Sequence, residues 1–199
     1  CTGGAVCTML VLSGVNVWIA ILCAVIAGAL CGILTGIFHT TLGIPAILAG
    51  ILTQLILWSL NLKIMGKANQ GLPAKTYPVL ITQLNIPMAI LILFAFVIVL
   101  IAVLYWFFGT EQGCGIRATG CNLNMSRAQG INTNLNKIVG LAISNGIVAL
   151  SGAMLSQYQG FADISMGRGA IVIGLAAVII GEALFSLFPR GRRGVTLGL

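Results

Sequence analysis

Few side chains in this chain can do covalent or proton chemistry. Three acids, Glu111, Asp163 and Glu182, and one histidine, His39, are spread through 199 residues. Acid–base catalysis needs such groups within hydrogen-bond reach of one substrate, and no two of them are close in sequence. His39 has no nearby carboxylate or thiol and reads as a helix-end residue. No HExxH, GxSxG or Walker A pattern occurs. Cys1, Cys7, Cys23 and Cys31 lie in or beside apolar runs. Cys114 and Cys121 sit in a polar stretch with six residues between them and no His or third Cys nearby. Zinc sites group four ligands, usually at CxxC-type spacing, so these read as free thiols. No catalytic residue, metal site or cofactor is expected, and the chain is not expected to be an enzyme.

What remains is recognition by hydrogen bonding. Ala46, Gly50, Gln54, Trp58 and Asn61 fall on one stripe at helical spacing within an apolar run. Polar groups inside a membrane helix face protein or water rather than lipid. Ser144 and Asn145 lie in a second run, on faces shared with Gly140 and Ser151 and with Gly152 and Ser156. They serve either as polar glue between helices or as the lining of a pathway. The longest polar segment, 109–137, carries its own helix signals. Asn122 suits an N-cap and Gly130 a C-terminal stop, which predicts a short helix from about Leu123 to Gln129. A polar helix between two apolar runs is either solvated or a docking element for a partner. Arg117 and Arg127 could offer guanidinium forks to partner carboxylates, or Arg117 could snorkel to the headgroups.

Those residues must be positioned in lipid. Hydrophobic residues make up 59% of the chain and charged residues 7%, where soluble domains carry about 25% charged residues. Mean hydropathy is +1.10. The net charge of +7 comes from ten Lys and Arg against three acids, scattered between apolar blocks. A nucleic-acid binder would cluster them on one polar face, so none is expected as a partner.

A spanning helix needs about 20 mainly apolar residues. Five runs qualify: Val17 to Phe38, Ile44 to Leu62, Pro87 to Phe108, Ile138 to Tyr158 and Gly169 to Phe188. Backbone groups in lipid must be satisfied internally, so the expected fold is all-α, a polytopic transmembrane bundle of about five to six spans. The apolar stretch Cys1 to Gly14 is read as the end of a sixth helix. The chain is expected to be one transmembrane domain over 1–199, incomplete at both ends, since it opens without Met and stops in a Gly-rich apolar stretch. A lipidated Cys1 would instead precede a polar tether, and Ala5 to Leu12 is largely apolar. Residues 39–43 read as a tight link. Residues 63–86, with Lys63, Lys67, Lys75, Pro73 and Pro78, read as a longer loop, and 159–168, with Gly160, Asp163, Gly167 and Arg168, as a bend. Gly28, Gly32 and Gly36 recur every four residues, which predicts a close interhelical seam. Six basic residues (Arg117, Arg127, Lys137, Arg190, Arg192, Arg193) fall on the side of the 109–137 segment and four on the other. This bias places that segment in the cytoplasm. Glu182 is the nearest candidate for an ion-coupling acid, but it lies in the last third of its run rather than clearly at mid-membrane.

The run Gly115-Ile-Arg117-Ala118-Thr-Gly120-Cys-Asn122, followed by Ser126-Arg127-Ala128-Gln-Gly130-Ile-Asn132, resembles the cytoplasmic coupling loop of bacterial ABC importer permeases of the branched-chain amino acid and ribose type. Gly169 to Glu182 is similar to the family's next helix, and His39 to Pro45 resembles an amino-acid-type branch associated with tryptophan- or tyrosine-like substrates. The resemblance implies a permease subunit of an ATP-driven importer in the bacterial inner membrane, moving a small solute, an amino acid by this likeness. It implies that 109–137 is the coupling loop, with Gly115, Arg117, Gly120, Asn122, Arg127, Gly130 and Asn132 at the contact with cytoplasmic ATPase subunits. It further implies a second permease subunit, identical or different, and an external solute-binding protein. Cys114 and Cys121 stand where the family pattern is small or polar. The substrate pathway is assigned to Gln54, Trp58, Asn61, Ser144 and Asn145. Two other readings are an ATP-independent channel or secondary carrier, supported by the polar stripe, and a purely structural membrane scaffold.

Overall fold

A computed structural model describes residues 2–71, 86–165, 167 and 170–187. The elements in order are α1 (Thr2–Leu12), α2 (Val17–Thr40), α3 (Ala46–Met65), β1 (Asn69–Gly71), α4 (Ile86–Phe108), α5 (Glu111–Cys121), α6 (Leu123–Ala128), α7 (Thr133–Gln159), β2 (Phe161–Asp163) and α8 (Ala170–Leu187). The result is an all-α polytopic bundle. Four of the described helices, α2, α3, α4 and α7, are long and apolar enough to cross a membrane. The fifth run forms α8. Lys75, Pro73, Pro78, Arg168, Cys1 and the basic residues at 190, 192 and 193 lie outside the described residues.

The centre of the bundle is α2 against α7, with α1 laid across both. Small residues make this possible. A Cβ at Gly28 would collide with Ala149 and lie 2.8 Å from the Asn145 carbonyl. One at Gly32 would fall inside the Leu141 backbone, and one at Gly36 would lie 3.0 Å from Ile138 Cα. The four-residue glycine repeat is therefore the seam against α7. Without a hydrophobic drive between helices in lipid, such close backbone approach supplies the packing. α1 joins through the same chemistry: a Cβ at Gly3 would overlap the Ala149 backbone. Cys7, Val11, Val17, Ala20, Ile21, Ala24 and Ala153 close the core around it. The described part of this apolar stretch, Thr2–Leu12, is thus packed into the bundle core.

α3 packs on α1 and α2. Thr35 of α2 and Thr53 of α3 are buried, with hydroxyls 3.1 Å apart in a hydrogen bond. The link between these helices is 41–45, two residues later than expected, because α2 runs through Thr40. His39 sits in the last turn of α2 and bonds through Nδ1 to the Ile44 carbonyl at 2.8 Å. Its role is to close the turn.

α4 turns its apolar side chains outward along its length, with Tyr105 and Trp106 exposed near its end. Lipid is the solvent that such a helix requires, and aromatic side chains at a helix end suit the bilayer interface. Past the ends of α3 and α7, β1 and β2 form a short antiparallel ribbon pairing Asn69 with Asp163 and Gly71 with Phe161. The sequence reading placed only loop and bend there. Ala162 and Ile164 anchor the ribbon against Met65, Ala5 and Met9. The ribbon stands at one end of the bundle; the 41–45 link and α5–α6 stand at the other.

Candidate functional site

Two places hold the residues singled out by the sequence. The first is the 109–137 segment, which contains two helices rather than one. α5 is started by Thr110, whose Oγ1 accepts from Gly113 N at 3.4 Å. Glu111 in its first turn suits the positive end of the helix. Gly113 permits a sharp entry: a Cβ there would lie 2.5 Å from Phe107 O and Phe108 Cα. α6 begins at the expected Asn122, whose Oδ1 accepts from Asn124 N and Met125 N, both at 3.1 Å. Gly130 follows the end of α6 at φ +78°, a conformation that favours glycine. Asn132 then caps α7 through Leu135 N at 3.2 Å. This cap starts α7 five residues before the expected Ile138. At 27 residues, α7 is about 40 Å long, more than the roughly 30 Å hydrocarbon core needs. Its first turns can therefore project from lipid to meet α5.

That meeting is specific. Asn136 and Thr119 are both buried, and Asn136 Nδ2 donates to Thr119 Oγ1 at 3.3 Å. Thr119 in turn donates to the Gly115 carbonyl at 2.7 Å. A Cβ at Gly115 would press on Asn136 Nδ2 at 3.0 Å, so Gly115 leaves room for the link. Arg127 Nε donates to Thr133 Oγ1 at 3.2 Å, which ties α6 to the start of α7. Gly115, Asn122, Gly130 and Asn132 thus shape the segment. Arg117, Gly120 and Arg127 are exposed on it. Met125 adds an exposed apolar side chain. Thr119, Thr133 and Asn136 were missed in the sequence reading. They are short polar side chains without a motif, and only the tertiary contact reveals them.

The second place is a cavity of about 740 Å³ bordered by α3, α2, α7 and the start of α1. The stripe Ala46, Gly50, Gln54, Trp58 and Asn61 runs along its wall. From Ala46 to Asn61 this wall covers roughly 22 Å of helix. Asn145 lines the opposite side, but Ser144 is exposed and does not. Ser151 and Gly152 also line it, whereas Ser156 is buried in the helix packing, its hydroxyl bonded to the Ala153 carbonyl at 2.8 Å. Thr2, Thr35 and Thr53, not singled out in sequence, add to the polar lining. Thr53 could have been noticed, since it stands at helical spacing between Gly50 and Asn61 of the same stripe. No Asp, Glu, Lys, Arg or His lines the cavity among the described residues. Deeper in the packing, Gln157 is fully buried and donates to Cys7 Sγ at 3.4 Å.

No described cluster of three or more His, Cys, Asp or Glu could hold a metal ion. The described thiols Cys7, Cys23, Cys31, Cys114 and Cys121 are free. Asp163 accepts from both the amide and the hydroxyl of Ser165, at 2.9 and 2.8 Å, and so shapes the turn after β2.

Residues 1–193 match the family model described as branched-chain amino acid transport system, permease component. A tyrosine transport system permease protein of Clostridioides difficile is 37% identical over 186 residues, covering 94% of this chain and 62% of that protein. An uncharacterized protein of Rickettsia prowazekii is 33% identical over 169 residues, covering 83% of this chain and 59% of its own length. The autoinducer 2 import system permease protein LsrC of Escherichia coli is 29% identical over 182 residues, covering 87% of this chain and 50% of that protein. The chain therefore spans about half to about three fifths of the length of these curated relatives. No solved structure matches it.

Proposed function

Because this chain belongs to the family of permease components of branched-chain amino acid transport systems, we propose that it is part of the translocating subunit of an ATP-driven importer. The chain is a multi-pass membrane protein, and its proposed home is the bacterial inner membrane. The proposed solute is an amino acid, with tyrosine the first candidate through the similarity to the Clostridioides difficile permease.

The observation that carries this reading is the polar helix pair α5–α6, fastened to α7 by the Asn136–Thr119 and Arg127–Thr133 bonds. A polar pair between two apolar helices needs a partner other than lipid. We assign that role to cytoplasmic ATPase subunits docking on Arg117, Gly120 and Arg127, with Gly115, Asn122, Gly130 and Asn132 holding the surface in shape. α7 joins this surface to the cavity, since Asn136 and Asn145 sit on the same helix. ATP binding would close the partner dimer, shift the docked helices and tilt α7 against α3. The solute pathway is assigned to Gln54, Trp58, Asn61 and Asn145; Ser144 faces away from the cavity and is left out of it. Substrate drives such a cycle only by binding one state better than the other. An external binding protein and a second permease subunit complete the proposed assembly.

The test is solute flux in liposomes. The full-length permease alone should pass no solute. Uptake should appear only with the ATPase, ATP and binding protein together. Equal flux without ATP would replace this reading with the channel or carrier reading, which the polar-walled cavity would then explain.

A further inference from the structure

We infer that α3 is the moving wall of this bundle. It pivots at Asn61 and Met65, on the β-ribbon end, and parts from α2 at the Thr35–Thr53 contact, toward the end that carries α5–α6. This deepens the importer reading above and rests on it only for what drives the movement.

The other core helices cannot supply the movement separately. α1, α2 and α7 meet backbone to backbone. A Cβ at Gly3 or Gly32 would overlap the α7 backbone, and one at Gly36 would lie 3.0 Å from Ile138 Cα. Packing this close leaves no room to slide, so a pull on α7 through Asn136 carries α1 and α2 along. α3 is held differently. Its buried residues, Ala49, Thr53, Asn61 and Met65, form one narrow stripe. Its own glycine, Gly50, offers open space, with nothing within 4 Å of an added Cβ. The joint that gives is therefore α3 against α2.

The Thr35–Thr53 contact is made to part. Thr35 Oγ1 lies 3.1 Å from Thr53 Oγ1 and 3.0 Å from the Cys31 carbonyl, and it can donate to either. Thr53 donates to the Ala49 carbonyl at 2.8 Å. When α3 moves away, each hydroxyl keeps an acceptor on its own helix. No buried donor is stranded, so parting avoids the penalty of an unpaired polar group. The ribbon end has no such fallback. Asn61 is 2% exposed, and its hydrogen bond among the described residues is from Nδ2 to Thr2 Oγ1 at 3.2 Å. Met65, one turn on, packs with Ala5, Ala162 and Ile164. That end holds while the Thr53 end swings. The 41–45 link permits this. Gly43 stands there at φ +67° with open space around it, a position where glycine can absorb a backbone change. The part-buried bond from His39 to the Ile44 carbonyl is one that water can replace.

The experiment compares two engineered disulfides in the full-length permease carrying Cys31→Ala, reconstituted with the proposed ATPase, a binding protein and ATP. Thr35→Cys with Thr53→Cys locks α3 to α2. Ala29→Cys with Gly146→Cys locks α2 to α7; a Cβ on Gly146 lies 3.8 Å from Ala29 Cβ, within the spacing that disulfides use. Oxidation of the first pair should stop ATP-driven uptake while ATPase association persists, and dithiothreitol should restore uptake. Oxidation of the second pair should leave uptake unchanged. Pulsed EPR in nanodiscs, without ATPase or ATP and with the other reactive cysteines replaced, reads the movement itself. Spin labels at Ile47 and Val148 report α3 against α7, and labels at Leu22 and Val148 report α2 against α7; all three positions are exposed. Thr35→Val with Thr53→Val should lengthen or broaden the first distance and leave the second as it is. Failure of the first pair to form its disulfide, uptake that survives that disulfide, equal loss from the second pair, or an unchanged Ile47–Val148 distance would overturn the inference. Uptake by a protein locked at Thr35 and Thr53 defeats this inference and leaves the importer reading standing. An Ile47–Val148 distance that responds while no ATPase associates defeats the importer reading and leaves the moving wall standing.

Discussion

Gly32→Leu is expected to remove the folded protein. The position faces α7 so closely that even a single Cβ would fall inside the Leu141 backbone, with Ala142 Cα 2.7 Å away. Backbone atoms cannot rotate aside, so the helices would have to separate. Overpacking ordinarily costs about 1–3 kcal/mol and more when no rotamer relieves it. Here the α2–α7 contact also holds α1, through Gly3 and Gly4 against Ala149 and Gly152. Opening it would undo three helices together. Size-exclusion chromatography of the tagged protein in mild detergent should show loss of the monodisperse peak, and Gly32→Ala should already lower the melting temperature. Gly174→Ala is the matched control, since a Cβ at that helical glycine meets nothing within 4 Å. It should leave the protein unchanged or slightly firmer, because alanine is the better helix former. An intact peak and unaltered melting for Gly32→Leu would show that the seam does not hold the bundle.

This seam was legible in the sequence, and the reason is physical. A glycine every four residues in an apolar run has few uses besides close helix approach. The spans were legible too, because hydropathy over 20 residues is a strong signal; α2, α3, α4 and α7 begin or end within a few residues of expectation. The stripe Gln54, Trp58 and Asn61 was visible as a period, and the cavity lies along it. The Asn122 cap was readable from a local rule, and its two hydrogen bonds are present.

The remainder depends on contacts that no local pattern encodes. α5 contains Gly113, Gly115 and Gly120, each costing about 1 kcal/mol against alanine in a helix. It forms because Thr110 caps it and α7 and α4 support it. The ribbon joins three-residue strands separated by the whole of α4 to α7, a pairing too short and too distant to announce itself. The burial of α1 could not be separated from a lipid-facing helix by composition, because both are apolar. Ser144 and Asn145 are adjacent in sequence, yet only Asn145 reaches the cavity, since neighbours on a helix point about 100° apart.

A second large effect is expected from Asn136→Leu. Asn136 is the buried tie between α7 and α5, and Thr119 remains bonded to the Gly115 carbonyl without it. The variant therefore removes the link without leaving Thr119 unpaired. α5 keeps its packing through Ile116, which lies 3.7 Å from a Cβ placed on Gly140, so the proposed docking surface is expected to survive. What is lost is the rigidity with which movement of α5 reaches α7. Solute imported per ATP hydrolysed by the reconstituted full-length complex should fall about tenfold, the equivalent of roughly 1.4 kcal/mol, while ATPase association stays. Asn136→Gln, which can rebuild the bond with a small shift, should recover part of the loss. Unchanged stoichiometry in Asn136→Leu would remove this residue from the proposed coupling route.

The most direct measurement is co-purification of the full-length permease with the proposed ATPase partner, wild type against Arg117→Glu. Arg117 is exposed on α5, so reversing its charge should leave the fold intact while it opposes docking. Arg127 is less suited as the sole probe, because its Nε is engaged with Thr133. The proposal predicts that the wild-type complex survives purification and that Arg117→Glu, folded and present in equal amount, loses most of its ATPase. A wild-type permease that retains no ATPase, or an Arg117→Glu variant that retains it fully, would contradict the assignment of α5–α6 as the surface where ATP hydrolysis is coupled to transport.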